Sequence, residues 1–187
     1  ETPLGTALDS TSRWVIYART AAQGATSQSN TFQDMHFSGE NNGVAYGFVN
    51  AIDDSFSSGG ANQGSEFLFK DCFFQWFTRA GYWQNGFNAL QNRFHGGNFA
   101  NWQQYGLYNQ RGAFNADTVT FQNWPGSAYI AAMADMWDVR VDNAVNDVNV
   151  LSGCRTESVK FCKGVNEARI LIQGLSMSFP MGKWEPS

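Results

Sequence analysis

Apolar residues occur along this chain in brief segments, and some of these segments alternate apolar and polar positions. Examples that are rich in β-branched or aromatic residues are WVIY (14–17), TVTF (118–121), WDVRV (137–141) and RILI (169–172). Brief segments of this kind, followed by Asn, Gly, Asp or Ser, predict β-strands. No long stretch keeps the i, i+3, i+4, i+7 spacing of an amphipathic helix. The pattern therefore predicts an all-β fold.

An eight-residue segment that ends in an apolar residue returns at a constant distance. It occurs as FNALQNRF (87–94), FNADTVTF (114–121), VDNAVNDV (141–148) and ARILIQGL (168–175). The starts are 27 residues apart, because 114 − 87, 141 − 114 and 168 − 141 are equal. Similar segments precede these at looser spacing, NTFQDMHF (30–37) and FLFKDCFF (67–74). Self-similarity at this period indicates a repeat architecture.

We predict that the repeat forms a parallel β-helix of about five or six coils, since stacked coils bring equivalent positions into line. The 187 residues then form a single domain. Its predicted parts are an edge or cap segment (1–27), the coils (28–178) and a polar tail (179–187). With coils of 27 residues, one internal apolar column is expected to contain Phe94, Phe121, Val148 and Leu175. The chain begins without Met, so it is either a processed form or a piece of a longer protein.

Composition narrows the function classes. Charged residues make up 15% and aromatic residues 16% of the chain, with 19 glycines, which is typical of a β-rich protein with many turns. A net charge of −4 argues against a nucleic-acid or anionic-membrane partner, because both require a basic surface. No apolar run approaches the roughly 20 residues that span a bilayer.

Three cysteines are present, and two of them are close in sequence. Cys154 and Cys162 are spaced to close a small disulfide loop, and two free thiols are the alternative. Cys72 is left over inside an apolar segment. No zinc site is expected, because CxxC is absent and the two histidines are far from the cysteine pair in sequence.

The run FKDCFFQ…AGYW…FNALQNRFHGG…YGLYNQRGAFNADTVTFQNW…VNVLSGCRTES resembles the right-handed parallel β-helix proteins of the pectin-lyase-like superfamily. In that superfamily, phrases such as F-x-[DN]-C-x-F and G-[IL]-Y recur coil after coil, and similar coils occur in phage tailspikes and bacterial surface proteins. The resemblance implies a protein that binds or cleaves polysaccharides and is extracellular, on a cell surface or on a virion. It also implies that a homotrimer is one of the assemblies open to the chain.

Hydrolysis of a glycan requires two carboxylates. Alternation in WDVRV directs Asp138 outward, and Asp142 follows on the same face at roughly 13 Å, which is too far for a pair. Glu157, in the following coil, is the best third member, so Asp138, Asp142 and Glu157 are the candidate catalytic residues. The alternative is that they are solvated acids on a polar face.

Cleavage by β-elimination requires a base and a cation near the substrate carboxylate. Arg140 and Lys160 are expected to be outward residues of successive coils and are candidate substrate-binding residues. Asp138 and Asp142 could hold Ca²⁺ in such a lyase, which would otherwise need no cofactor. A Ser or Cys nucleophile is not indicated, because GxSxG is absent.

Large aromatic residues crowd the central part of the chain. Those in turn-like contexts that are expected to stack against sugar rings are Trp83, Trp102, Tyr105 and Trp124. The alternative is that the rings fill the core. Two other functions stay open, a non-catalytic structural or adhesive module of a tailspike or surface fibre, and an antiparallel jelly-roll lectin.

Overall fold

The structure is a computed structural model, and it describes the chain in several ranges. These are residues 14–20, 29–39, 46–52, 65–85, 91–122, 137–141, 148–156, 158–161, 169–173, 176–177 and 183–186. Every element of regular secondary structure within these ranges is a β-strand. The predicted all-β class is therefore confirmed for the described part of the chain.

The strands form three sheets, each of which has its own spatial order of strands. In that order, sheet 1 contains β1 (Trp14–Thr20), β4 (Tyr46–Ile52), β7 (Ala80–Asn85), β10 (Tyr105–Arg111), β13 (Trp137–Val141), β16 (Ser158–Phe161) and β19 (Lys183–Pro186). Sheet 2 contains β17 (Arg169–Gln173), β14 (Val148–Ser152), β11 (Phe114–Asp117), β8 (Asn92–His95), β5 (Leu68–Lys70) and β2 (Thr31–Gln33). Sheet 3 contains β18 (Ser176–Met177), β15 (Arg155–Thr156), β12 (Thr120–Gln122), β9 (Asn98–Trp102), β6 (Phe73–Phe77) and β3 (His36–Ser38).

From β2 onward the chain visits sheet 2, sheet 3 and sheet 1 in turn. Each strand pairs in parallel with the strand three places later, as in a parallel β-solenoid. We call one strand from each sheet, in this order, a level. The jelly-roll alternative is wrong for the described strands, because it requires antiparallel neighbours and their pairings are all parallel. β1 lies in the predicted cap and β19 in the predicted tail, and both pair into sheet 1.

The repeat is real, but its 27-residue register is wrong. NTFQDMHF and FLFKDCFF align as the sequence suggested, with Phe37 opposite Phe74. FNADTVTF, however, aligns with NRFHGGNF (92–99), so that Phe121 is opposite Phe99. Phe94 lies in sheet 2 opposite Ala116. The predicted column therefore does not form: Val148 is opposite Arg169, and Leu175 lies outside the described residues.

The spacing between equivalent residues varies from level to level. In sheet 2 the residues in register with one another include Phe32, Phe69, Phe94, Ala116, Leu151 and Ile172. The intervals are 69 − 32 = 37, 94 − 69 = 25, 116 − 94 = 22, 151 − 116 = 35 and 172 − 151 = 21. The connections between the other sheets differ in length and account for the variation, and a longer connection costs little extra free energy.

The corner between sheets 2 and 3 has a constant length of two residues in the described levels. Its first residue has a positive φ at each level: Asp34 (53°), Asp71 (50°), Gly96 (65°), Thr118 (56°) and Gly153 (60°). Gly and Asp adopt a positive φ more readily than most residues. This preference explains why four of the five first corner residues are Gly or Asp.

Cysteine occupies the second corner position at two levels. The Cys72 thiol donates to the Phe32 carbonyl at 3.3 Å, and the Cys154 thiol donates to the Ala116 carbonyl at 3.3 Å. Both residues are buried free thiols. Cys154 is therefore not half of the predicted disulfide, and Cys162 lies outside the described residues. The repeated contact gives these cysteines a structural role at the corner.

Stacked aromatic rings fill the interior. The rings of Phe37, Phe74, Phe99 and Phe121 form one column, with centroids 4.6, 4.5 and 5.0 Å apart and interplanar angles of 15° or less. Phe32, Phe69 and Phe94 form a second column at 4.9 Å spacing. Each aromatic pair adds about 0.5–1.5 kcal/mol beyond burial, so these columns stabilise the stacking of successive levels.

A buried polar ladder lies beside the aromatic columns. Asn50, Gln84 and Asn109 are register neighbours in sheet 1 and are fully buried. Gln84 Nε2 donates to Asn109 Oδ1 at 3.1 Å, and Gln84 Oε1 accepts from the Tyr82 hydroxyl at 2.9 Å. Asn92 Nδ2 also donates to Gln84 Oε1. Because a slip of one residue would break these bonds, the ladder helps to fix the strand register.

Candidate functional site

A groove with a volume of about 440 Å³ lies on the outer face of sheet 2. It is lined by Leu68, Arg93, Phe94, His95, Asn115, Asp117, Val150 and Ser152. These residues come from four neighbouring strands, β5, β8, β11 and β14. Parallel strands lie about 4.8 Å apart, so the groove presents side chains from successive levels at regular intervals.

His95 and Asp117 form the best-defined polar contact in the groove. They are register neighbours at the ends of β8 and β11, and alternation points both side chains outward. His95 Nδ1 is 2.9 Å from Asp117 Oδ2, with side chains 55% and 40% exposed. When the imidazole is neutral and donates from Nδ1, Nε2 is left as a hydrogen-bond acceptor. The pair therefore offers a ligand an imidazole nitrogen and a carboxylate oxygen.

A second row runs beside this pair. Arg93 is exposed two residues before His95 on the same strand face, and its register neighbour is Asn115, which is also exposed. Val150 follows Asn115 in the row, and Ser152 follows Asp117 in the row of the histidine. The groove thus combines guanidinium, amide, hydroxyl, carboxylate and imidazole groups with apolar patches at its ends.

Sequence reasoning missed this groove because it used the wrong register. A 27-residue shift places Asp117 opposite Leu90, whereas the structure places it opposite His95, 22 residues earlier. The signal was present in the alternation of NRFH and FNAD, whose burial alternates along each strand. Aligning the two-residue corners would have brought these strands together.

The predicted catalytic residue Asp138 is not on an outer surface. It is only 6% exposed, and its Oδ2 accepts a 2.7 Å hydrogen bond from the Thr156 hydroxyl. The expectation of an outward carboxylate fails because position 138 lies on the inward face, where its neighbour one level earlier is Gly106. Asp142 and Glu157 lie outside the described residues. A Ca²⁺ site shared by Asp138 and Asp142 on an outer face is therefore not supported.

The aromatic residues predicted to stack against sugars are buried where the structure describes them. Trp102 belongs to the interior cluster with the phenylalanines. Trp83 and Tyr105 belong to a second cluster on the other face of sheet 1, where Trp83 stacks on Tyr46 at 5.2 Å. These rings fill apolar clusters, which was the alternative interpretation. Trp124 lies outside the described residues.

Arg140 and Lys160 are register neighbours on β13 and β16. Arg140 is half-buried: Nη1 donates to the Tyr105 hydroxyl at 2.8 Å, and its guanidinium lies 5.3 Å from the Tyr105 ring centroid and 5.4 Å from that of Tyr108. This arginine therefore stabilises the second aromatic cluster. The structure does not bring it to the groove on sheet 2.

Two further features bear on chemistry. Within the described ranges, no group of three or more His, Cys, Asp or Glu side chains is placed to hold a metal ion. Asp117 separates His95 from Ser152 in the row, so the histidine and the serine are about two strand spacings, roughly 10 Å, apart. A serine nucleophile activated by His95 is thus not assembled in the groove.

The described part of the chain has no helix long and apolar enough to cross a membrane.

No protein-family model matches this chain. No curated protein and no solved structure is significantly similar to it.

Proposed function

We propose that this chain is a polysaccharide-recognising domain with a right-handed parallel β-helix fold, and that the groove on sheet 2 is its glycan-binding surface. Parallel strands joined by crossovers are right-handed in nearly all proteins, which supports the handedness. The resemblance to the pectin-lyase-like superfamily supports the class of ligand. Fold alone does not determine function, so the groove carries the argument.

The single observation that carries the proposal is the combination of donors and acceptors around the His95–Asp117 pair. Sugar hydroxyls both donate and accept hydrogen bonds. Asp117 and His95 Nε2 can accept, while Arg93, Asn115 and Ser152 can donate. The 440 Å³ groove lies within the usual range of small-ligand sites, about 300–1,000 Å³.

The groove favours recognition over hydrolysis. Among its lining residues, Asp117 is the one carboxylate. Hydrolysis by the usual acid–base route takes two carboxylates about 5–9.5 Å apart. Processing of the bound glycan is therefore the weaker form of the proposal.

Binding to a panel of soluble polysaccharides, measured by affinity electrophoresis and calorimetry, tests the proposal. We choose polygalacturonate and alginate as acidic polymers, and dextran and galactomannan as neutral ones. We expect Arg93→Ala to weaken binding about 10- to 100-fold, because a charge-assisted hydrogen bond contributes about 1.5–3 kcal/mol. Arg79→Ala removes an equally charged, partly exposed side chain between β6 and β7, on the far side of sheet 3 from the groove, and is the control. Equal effects of the two substitutions would remove the groove from the proposal.

The second candidate is a non-catalytic structural or adhesive module of a surface fibre or tailspike. It is favoured by the burial of Asp138, Trp83 and Trp102, residues whose surface exposure would have indicated a catalytic or sugar-stacking role. Failure of the wild-type chain to bind any polymer of the panel would leave this candidate.

A further inference from the structure

The outer face of sheet 3 presents one exposed aromatic ring within a polar row. In register order the row consists of His36, Phe73, Asn98, Thr120 and Arg155. Phe73 is 48% exposed, and among the described residues Met35 is the other large hydrophobic side chain with comparable exposure. A single exposed phenylalanine is common on proteins. The residues around Phe73 indicate a more specific role for its ring.

Phe73 is held firmly in place. Its backbone N–H donates to the Met35 carbonyl at 2.8 Å, and β6 is paired on both sides, with β3 and β9. The His36 ring packs edge-to-face against the phenyl ring, with centroids 6.2 Å apart. An aromatic side chain fixed in this way loses little conformational entropy when a ligand packs on it.

The corner between the groove and Phe73 has no side chains on the third level. The chain runs His95–Gly96–Gly97–Asn98, so that His95 lies in the groove and Asn98 lies next to Phe73. At the other four described levels the corner includes at least one residue with a side chain. A Cβ on Gly96 would clash with Asp71 Oδ1, so this position cannot gain a side chain without displacing the Asp71 carboxylate. The Asp71 carboxylate of the preceding level therefore lies beside Gly96, and a ligand chain that passes from one face to the other would cross two glycines next to this carboxylate.

We propose that Phe73 is a stacking platform for a pyranose ring, and that the glycan surface continues from the sheet 2 groove over Gly96 and Gly97. The apolar C–H face of the sugar packs on the phenyl ring, as apolar groups do on aromatic faces. Asn98 flanks the ring with an amide for the sugar hydroxyls. This subsite rests on the proposed function of the groove, because it takes a further residue of the same polymer.

The test uses oligosaccharides of increasing length, cut from the polysaccharide of the panel that binds most tightly. For the longer oligosaccharides, we expect Phe73→Ala to weaken binding about 3- to 10-fold, the size of an aromatic contact. Phe73→Trp should restore or exceed wild-type affinity, because it keeps a flat aromatic face. Disaccharides, which cannot span both faces, should bind Phe73→Ala and wild type equally. Met35→Ala is the control for loss of an exposed apolar side chain.

The outcomes separate the two proposals. If Arg93→Ala weakens binding while Phe73→Ala does not at any oligosaccharide length, the groove stands and the subsite is wrong. Ring stacking is wrong if Phe73→Ala weakens binding but Phe73→Trp does not restore it. It is equally wrong if Met35→Ala weakens binding as much as Phe73→Ala does. If the wild-type chain binds no glycan, the proposed function and the subsite fail together. Thermal unfolding of each variant should match wild type, because the ring is exposed.

Discussion

The Thr156 hydroxyl donates a 2.7 Å hydrogen bond to the buried carboxylate of Asp138. At the two preceding levels, the corresponding positions hold a phenylalanine packed on a glycine. A Cβ on Gly81 would lie 2.7 Å from the Phe99 ring and 2.9 Å from the Gly106 carbonyl oxygen. One on Gly106 would lie 3.0 Å from the Phe121 ring and 2.6 Å from the Asp138 carbonyl oxygen. The smaller Thr156 leaves room for a side chain at position 138, and the hydroxyl offers a partner to the carboxylate. We therefore expect the residues at these two positions to compensate for each other inside the core.

The first prediction concerns this pair. Thr156→Val keeps the shape of the side chain but removes the hydroxyl, so a hydrogen bond to a buried carboxylate is lost. We expect the free energy of unfolding to fall by about 1–3 kcal/mol, measured by urea denaturation. Thr156→Ser keeps the hydroxyl and should lose less. Val and Ser variants of equal stability would show that the hydrogen bond contributes nothing.

The second prediction tests the compensation. Thr156→Phe alone forces a ring against Asp138, and Asp138→Gly alone leaves a cavity beside Thr156. The double variant recreates the arrangement of Gly106 and Phe121 one level earlier. We expect it to be more stable than the sum of the single effects indicates, with a coupling of about 0.5–3 kcal/mol in a double-mutant cycle. Strictly additive effects would mean that the two positions do not compensate.

The third prediction concerns the buried thiols. Burial raises the pKa of both Cys72 and Cys154, although hydrogen bonds to backbone groups partly oppose this. Because the thiolate is the reactive form, both should react slowly with a thiol reagent in the folded protein near neutral pH. Both should react fully in denaturant. A Cys162→Ser background removes the third cysteine from the measurement, and rapid reaction of two thiols in that folded variant would contradict the buried corner positions.

The fourth prediction concerns stability at alkaline pH. Burial raises the pKa of Tyr82 well above its ordinary value, with a hydrogen bond from Asn50 acting in the opposite direction. Above the ordinary tyrosine pKa, near 10, the unfolded chain releases a proton that the folded chain retains. The free energy of unfolding should therefore be unaffected by Tyr82 titration below that pH and fall as the pH rises further.

Tyr82→Phe gives the matched comparison. At neutral pH it should be less stable by about 1–3 kcal/mol, because the hydroxyl contacts Asn50 and Gln84 in the polar ladder. Above pH ~10 its stability should fall less steeply than that of wild type. Urea denaturation at a series of pH values measures both effects. Parallel curves for the two proteins would show that Tyr82 does not titrate differently in the folded state.

The all-β class was predictable because brief apolar segments and turn residues are local signals. The parallel repeat was also visible in the sequence, since Phe37 and Phe74 occupy equivalent positions in similar segments. The register was not predictable from apolar residues alone. The segment FNADTVTF crosses a corner, so that its first phenylalanine belongs to sheet 2 and its last to sheet 3. The segment FNALQNRF is similar to it in sequence but not in structural position, because its last residue, Phe94, belongs to sheet 2 and not to sheet 3.

The candidate site depended on that register. Strand alternation identifies His95 and Asp117 as outward residues, but only the correct pairing makes them neighbours. Burial of Asp138 was equally hard to foresee. The next residue, Val139, also lies in the core, so strict alternation does not hold at the start of β13. The equivalent positions at the three earlier levels are Gly47, Gly81 and Gly106, where a Cβ would meet both a phenylalanine ring of the core and a backbone carbonyl oxygen of the next level.

The fifth prediction separates a binding role for the His95–Asp117 pair from a structural one. Because both side chains are about half-exposed, the contact should contribute only about 0–1 kcal/mol to stability. Asp117→Ala and His95→Ala should thus unfold in urea close to wild type. Each should nevertheless weaken binding of the tightest polysaccharide of the panel. The two effects should not add, because the contact between His95 and Asp117 orients both side chains. Loss of either residue removes that orientation from the other.

A matched cycle sharpens this test. Asp117→Ala combined with Arg79→Ala should show additive, uncoupled effects on binding, because Arg79 lies between β6 and β7, on the far side of sheet 3 from the groove. Coupling of at least about 0.5 kcal/mol for the His95 cycle, without coupling for the Arg79 cycle, is the expected result. Large losses of stability in the single variants, with unchanged polysaccharide affinity, would instead make the pair a structural contact between β8 and β11. The groove would then lose its most ordered polar feature, and binding would have to rest on Arg93 and Asn115.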